Sequence, residues 1–198
     1  MRMALTRMVA DGDLIRETGR YRLNARLVDR QARQEDNSAP RYRAWRGAWE
    51  MAVVTAPPRP LAERVALRKD MVLLRLAELR EGIWIRPANL ARKPSDNVLD
   101  QCTMFESRPE GDAAELCRSL WDLTGWSDEA RRLRDEIDRA DDLIDGFMTI
   151  AEVVRHLALD PMLPPALLPD GWPGDDFRSR YNEFRADYAS RLREFSSG

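Results

Sequence analysis

The first 34 residues hold eight arginines (Arg2, Arg7, Arg16, Arg20, Arg22, Arg26, Arg30 and Arg33) against four acids. The rest of the chain carries 24 basic and 30 acidic side chains, so a basic head precedes an acidic body within a formal net charge of -2. Guanidinium groups neutralise phosphates and release their counterions, so the head suits contact with a polyanion. Met3, Ala4, Met8 and Val9 give residues 1–14 an apolar helical face, with Arg2, Thr6 and Arg7 around the other side and Gly12 able to cap it. Polar side chains on such a helix can read base edges in a major groove. Arg16, Arg20 and Arg22 follow on a stretch patterned as a two-stranded hairpin turning at Thr18-Gly19. There they can touch phosphates or a narrow minor groove.

A second group lies toward the other end. Arg155 and His156 form a cationic pair just before a proline-rich stretch, and Trp121, Trp126 and Trp172 fall in the same part of the chain. A cation beside aromatic walls is what an acidic ligand with an apolar portion requires. A third group, Arg80, Glu81 and Arg86 around Trp84, has the charges for salt bridges between domains or subunits. The acidic run Asp135, Glu136, Asp138, Asp141, Asp142 and Asp145 spreads over alternating helical faces and reads as solvated surface rather than a metal site. Cys102 and Cys117 are expected as reduced thiols. A single histidine, with neither serine nor cysteine arranged beside it, gives no nucleophile pair and no zinc set. No catalytic, metal or cofactor site is expected.

These groups need a scaffold. The polar stretch 35–48 is expected as a linker. Trp49 to Thr55 alternates Trp49, Met51 and Val53 on one face and is apolar on the other, which predicts a buried strand stopped by Pro57, Pro58 and Pro60. Apolar spacing predicts a helix over 61–79, from Leu61 through Met71 to Leu79. Further strands are expected at 83–85 and 102–106, making 49–111 a ferredoxin-like α+β sandwich. After Gly111 the pattern is helical: 113–121, 127–140 with Ser127 as its cap, 142–159, and 175–195 with an aromatic stripe from Phe177 to Phe195. Five prolines keep 160–174 from being one helix. The helical region is expected to occupy 112–195. No window is apolar enough for a membrane span, and neither a signal region nor a lipidation signal is present, so a cytoplasmic protein is expected.

Several segments, in order, resemble one family. RMALTRMVADGDL near the start, WEMAVVT at 49–55, LAELREGIWIRPANL at 76–90, ELCRSLWDLTGW at 115–126 and DPMLPPALLPDGWPG at 160–174 are similar to the PaaX-like transcriptional repressors. The resemblance implies an α+β protein with a partial winged helix-turn-helix reader, its recognition helix and wing, over 1–34, then a Cas2-like ferredoxin domain and a C-terminal helical domain. It implies a homodimer that binds double-stranded operator DNA and is released by an acyl-coenzyme A or related acidic effector. Cas2-like proteins include metal-dependent nucleases, which need an acid near the end of the first strand; here that place holds Val54, Thr55 and Ala56. Members of the family carry one or more helices before the position of Met1, so DNA binding by this chain is expected to be weak. The alternative reading is a scaffold that senses an effector or binds a protein without binding DNA.

Overall fold

A computed structural model describes the backbone of residues 14–17 and 20–23 and the whole of 41–197, apart from the side chains at positions 144, 147, 192 and 195–197. The expected recognition helix, with Arg2, Thr6 and Arg7, lies outside the described residues. Residues 1–39 and 40–198 form separate compact units. In the first, β1 (Leu14–Glu17) and β2 (Arg20–Leu23) pair antiparallel, with Glu17 opposite Arg20 and Arg16 opposite Tyr21. Strand residues alternate between faces, so the positions of Arg20 and Arg22 share one face of the ribbon and Arg16 falls on the other.

The second unit is built on β3 (Trp49–Val54), α1 (Leu61–Leu73), β4 (Ala77–Arg80), β5 (Ile83–Pro87), α2 (Asp96–Leu99) and β6 (Cys102–Ser107). The strands form an antiparallel sheet in the order β4-β5-β3-β6. This is the ferredoxin-like βαββαβ arrangement. Pro57, Pro58 and Pro60 lead into α1, and Ser95 caps α2 by accepting from the Val98 amide at 3.4 Å.

The helix expected over 61–79 is shorter. Leu74 caps it and Arg75 turns the backbone left-handed at φ 56°, so Leu76 and Ala77 enter the core as the start of a strand. Helical spacing extended through this segment because Leu76 and Leu79 fit both periods. Pairing with β5 across the Glu81-Gly82 turn decides for strand, and Gly82 supplies the φ of 77° that the turn needs. The buried face of α1 is Leu67 and Met71, while Leu61, Val65 and Val72 are exposed. The expected linker runs beside 88–91: Arg43 donates to the Asn89 carbonyl at 2.7 Å, and Ala91 donates to that of Arg41 at 2.9 Å.

Both faces of the sheet are covered. Ala52, Trp84 and Cys102 pack with α1 and α2 on one side. On the other, Trp49 and Ile85 pack with α3 (Ala113–Leu120), the start of α4 (Leu123–Arg139) and Leu163 and Leu167 of the proline-rich segment. The two cysteines therefore sit in different layers, both as free buried thiols, and burial pushes the Cys117 thiol up to about 12. A third core joins α4, α5 (Leu143–Leu157) and α6 (Gly174–Ser197) through Leu133, Ile137, Val153, Leu157, Phe177, Tyr181 and Phe184.

Asp122, not Ser127, caps α4, accepting from the Gly125 amide at 2.9 Å. Ser127 is buried inside the helix, because burying Leu123 and Trp126 draws the first turn forward. A side chain on Gly125 would collide with the Asp122 carboxylate. Within the aromatic stripe of α6, Phe177, Tyr181 and Phe184 are buried, and Tyr188 donates to the Leu143 carbonyl at 3.1 Å. The stripe's Leu192 and Phe195 side chains lie outside the described residues. No helix among the described residues is long and apolar enough to cross a membrane.

Candidate functional site

The sequence brings three tryptophans and one histidine to the C-terminal half, and the fold stacks three of the four. Leu123 and Trp126 on α4 and His156 and Leu157 on α5 are drawn to the same side by the need to bury their apolar surface. Trp126 lies between His156, at a ring-centroid distance of 4.7 Å, and Trp172, at 4.6 Å, with both pairs near parallel. Phe177 meets the edges of Trp126 and His156 at 6.2 and 5.9 Å. Such offset and edge-on arrangements are the favourable ones for aromatic quadrupoles. Trp126 Nε1 donates to the His156 carbonyl at 3.2 Å, and His156 Nε2 is 2.9 Å from the Trp126 carbonyl. A carbonyl only accepts, so Nε2 carries the proton. Burial lowers the His156 pKa below its ordinary value, and the ring is neutral near pH 7.

The stack fills itself. Rings at 4.6 and 4.7 Å leave no layer for a further aromatic group between them. Trp172 is half-buried and packs against both the helical core and the core beneath the sheet. Trp121 belongs to the core beneath the sheet alone. Arg155 points away from the stack: its side chain is 75% exposed, it lies 3.9 Å from Glu152, and its Nε donates to the Ala151 carbonyl at 3.3 Å. Of the five residues grouped as an effector site, the structure brings together Trp126, His156 and Trp172.

Beside the stack lies a buried polar junction. Arg86, at the end of β5, is wholly buried. Its Nε donates to the Pro87 carbonyl at 2.9 Å and its Nη1 to that of Arg75 at 3.5 Å. Its Nη2 donates to Asn89 Oδ1 at 2.7 Å and to the Met162 carbonyl at 3.2 Å. Asn89 Nδ2 reaches the same carbonyl at 2.9 Å. Arg75 Nη2 donates to the Leu157 carbonyl at 3.4 Å, a further tie from the sheet side to the helical region.

Asp160, also buried, accepts from the Met162 amide at 2.8 Å and pairs with the buried Arg178 of α6. Burial lowers the Arg86 pKa to about 10, against the pull of Glu50, its cross-strand neighbour on β3, which leaves it charged near neutrality. Arg75 and Met162 both hold left-handed backbone, at φ 56° and 51°. A residue with a side chain holds that conformation only where its surroundings over-determine it. Here the bonds from Arg86 land on those two residues.

The other residues of the Arg80 group take different places. Trp84 is buried under α1, Arg80 is exposed, and Glu81 is exposed 3.8 Å from Arg64. Sequence reasoning singled out Arg86 but missed Arg75, Asn89 and Arg178, and met Asp160 only as the first residue of a motif. A signal was available in the sequence, since Asn89 and Asp160 lie beside Pro87 and Pro161 in segments that are otherwise apolar. Asp135, Glu136 and Asp138 of the acidic run are in ion pairs at the surface, such as Arg180 to Asp138 at 2.7 Å. Among the described residues no group of histidine, cysteine or carboxylate side chains is placed to hold a metal.

Comparison with known proteins agrees with this layout. Residues 42–114 match the model of the PaaX protein central Cas2-like domain, and residues 112–198 match that of the PaaX-like protein C-terminal domain. The solved structure of the uncharacterized protein Rv0674 from Mycobacterium tuberculosis is similar at 44% identity, covering 96% of this chain and 81% of that one, with a TM-score of 0.81. No curated protein matches the chain.

Proposed function

The chain belongs to the PaaX-like family, and from that premise we propose that it is a ligand-responsive transcriptional repressor that binds operator DNA as a homodimer and is released by an acyl-coenzyme A or related acidic effector. The observation that carries this reading is the unbroken match of both domain models over 42–198, preceded by an arginine-bearing β-ribbon. DNA contact falls to Arg2, Thr6 and Arg7 on the expected helix and to Arg16, Arg20 and Arg22 on the ribbon. Two copies related by a two-fold axis would present these groups to two half-sites.

Release would act by linkage: an effector that binds one dimer geometry better than another shifts the population toward it. The Arg86 junction is the element through which a change in the helical region would reach the sheet, since its bonds join β5 to the Met162 loop. The effector contacts proposed are Arg155, His156, Trp121, Trp126 and Trp172. The stack of Trp126, His156 and Trp172 serves as a rigid wall, and Arg155, exposed beside Glu152, would meet an anion at the surface by exchanging that weak partner. The family likeness is to a regulator rather than a catalyst.

Light scattering at micromolar concentration should give about twice the 22.9 kDa chain mass. DNA binding should weaken steeply as salt rises. Double replacement of Arg20 and Arg22 by Ala should make its salt dependence shallower, while operator-length duplexes and acyl-coenzyme A esters test selectivity and release. A monomer that ignores DNA at low salt would overturn the reading.

A further inference from the structure

Arg59, Arg64 and Arg68 gather at a place that neither the junction nor the aromatic stack uses. The end of β3, the start of α1 and the β4–β5 hairpin enclose an open cavity of about 270 Å³. Arg68 lies 5.1 Å over the Trp84 ring and pairs with Glu78, so it is fixed on two sides. Arg64 meets Glu81 at 3.8 Å, with the two side chains 59% and 93% exposed. A pair so open to water is weak, and Arg64 can exchange that partner for another anion.

Arg59 is different. Its Nε and Nη1 are shut off from solvent and have no hydrogen-bond partner. Guanidinium nitrogens enclosed without an acceptor are costly. Leu61 and Val65, on the lip of the cavity, are large apolar side chains facing water. Three cations stand against two carboxylates, next to an apolar lip.

We propose that this cleft binds a small anion, a carboxylate or phosphate head carried on a short apolar body. The head meets Arg64, Arg59 turns its enclosed Nε and Nη1 toward it on binding, and the body covers Leu61 and Val65. The cavity is smaller than the roughly 300–1,000 Å³ of pockets that enclose whole drug-sized ligands, so it fits a head and one ring rather than a nucleotide conjugate. This site is separate from the contacts proposed for the effector above and does not depend on DNA binding.

The test is calorimetric titration of the full chain with benzoate, phenyl phosphate and the uncharged methyl benzoate. At least one acid should bind saturably with a Kd of about 0.1–1 mM, the affinity that about ten ligand atoms can supply. The tighter of the two acids identifies the head. Methyl benzoate should bind at least about tenfold more weakly. Arg59→Met should weaken the acid by a similar factor. Leu61→Glu, at a position 72% exposed and so tolerant of change, should also weaken it by repelling the head. Absence of binding by both acids up to about 10 mM, equal binding of acid and ester, or an unaltered Kd in Arg59→Met would each overturn the proposal.

Discussion

Arg86 and Arg59 are the same side chain at opposite ends of one sheet, and they are used in opposite ways. Every nitrogen of Arg86 donates to a named oxygen: those of Pro87, Arg75, Asn89 and Met162. Arg59 has two buried nitrogens that donate to nothing. A buried cation with all its donors met holds structure together, and removing it strands the acceptors it served. One whose donors are unmet contributes little to the fold and retains bonding capacity for a ligand. Satisfaction of hydrogen bonds separates a fastener from a candidate site more sharply than burial or charge does.

The largest effect should come from breaking the junction on its acidic side. Arg178→Leu leaves Asp160 buried without its partner, which should cost about 3–5 kcal/mol in chemical denaturation. A loss near zero would mean that water reaches Asp160 and the junction is not closed. Arg86→Met strands the Pro87 and Arg75 carbonyls and Asn89 Oδ1, leaves the Met162 carbonyl to Asn89 alone, and should destabilise by roughly 2–4 kcal/mol. Proteolysis near 160–164 should rise in the same variant. Stability equal to the parent's would erase the contrast drawn with Arg59.

The stack should answer to pH. Burial depresses the His156 pKa, so above the ordinary value of about 6.5 neither folded nor unfolded chain is protonated and His156 adds no pH dependence. Below it the unfolded chain takes up the proton first, so stability falls as pH drops toward the folded-state pKa and then levels. The slope from this one group cannot exceed about 1.4 kcal/mol per pH unit. Stability curves of the parent and His156→Gln between pH 5 and 7.5 should diverge in slope only below about 6.5; parallel curves would show that the ring is solvated.

The smallest effect is expected at Arg59. Arg59→Met should change stability by no more than about 1 kcal/mol in either direction, since it removes an unmet buried charge together with its packing. A loss as large as that of Arg86→Met would mark it as a second fastener.

Much of the scaffold was legible in the residues. Alternation in Trp49 to Val54, the turn at Gly82, the prolines after Thr55 and the 3- and 4-residue steps of Phe177, Tyr181 and Phe184 each specify local geometry, and they led to the correct fold class. Leu76 to Leu79 misled because a short apolar run satisfies helix and strand alike, and only the partner strand β5 decides. Ser127 misled because its cap signal was sound locally, whereas Leu123 one turn earlier gained more by entering the core. The stack was half legible: tryptophans and a histidine were visible, but not that of Arg155 and His156, adjacent in sequence, only His156 turns into the core.

By itself, then, the sequence determined what is local and periodic: the basic head, the strand and helix patterns, the breaks at proline and glycine, and the family segments. Tertiary structure alone decided which polar groups are satisfied. That property belongs to pairs such as Arg86 and Met162, or Asp160 and Arg178, that are brought together from different elements. No spacing rule encodes such a pair, because the cost of an unmet charge is set by what the rest of the chain places around it.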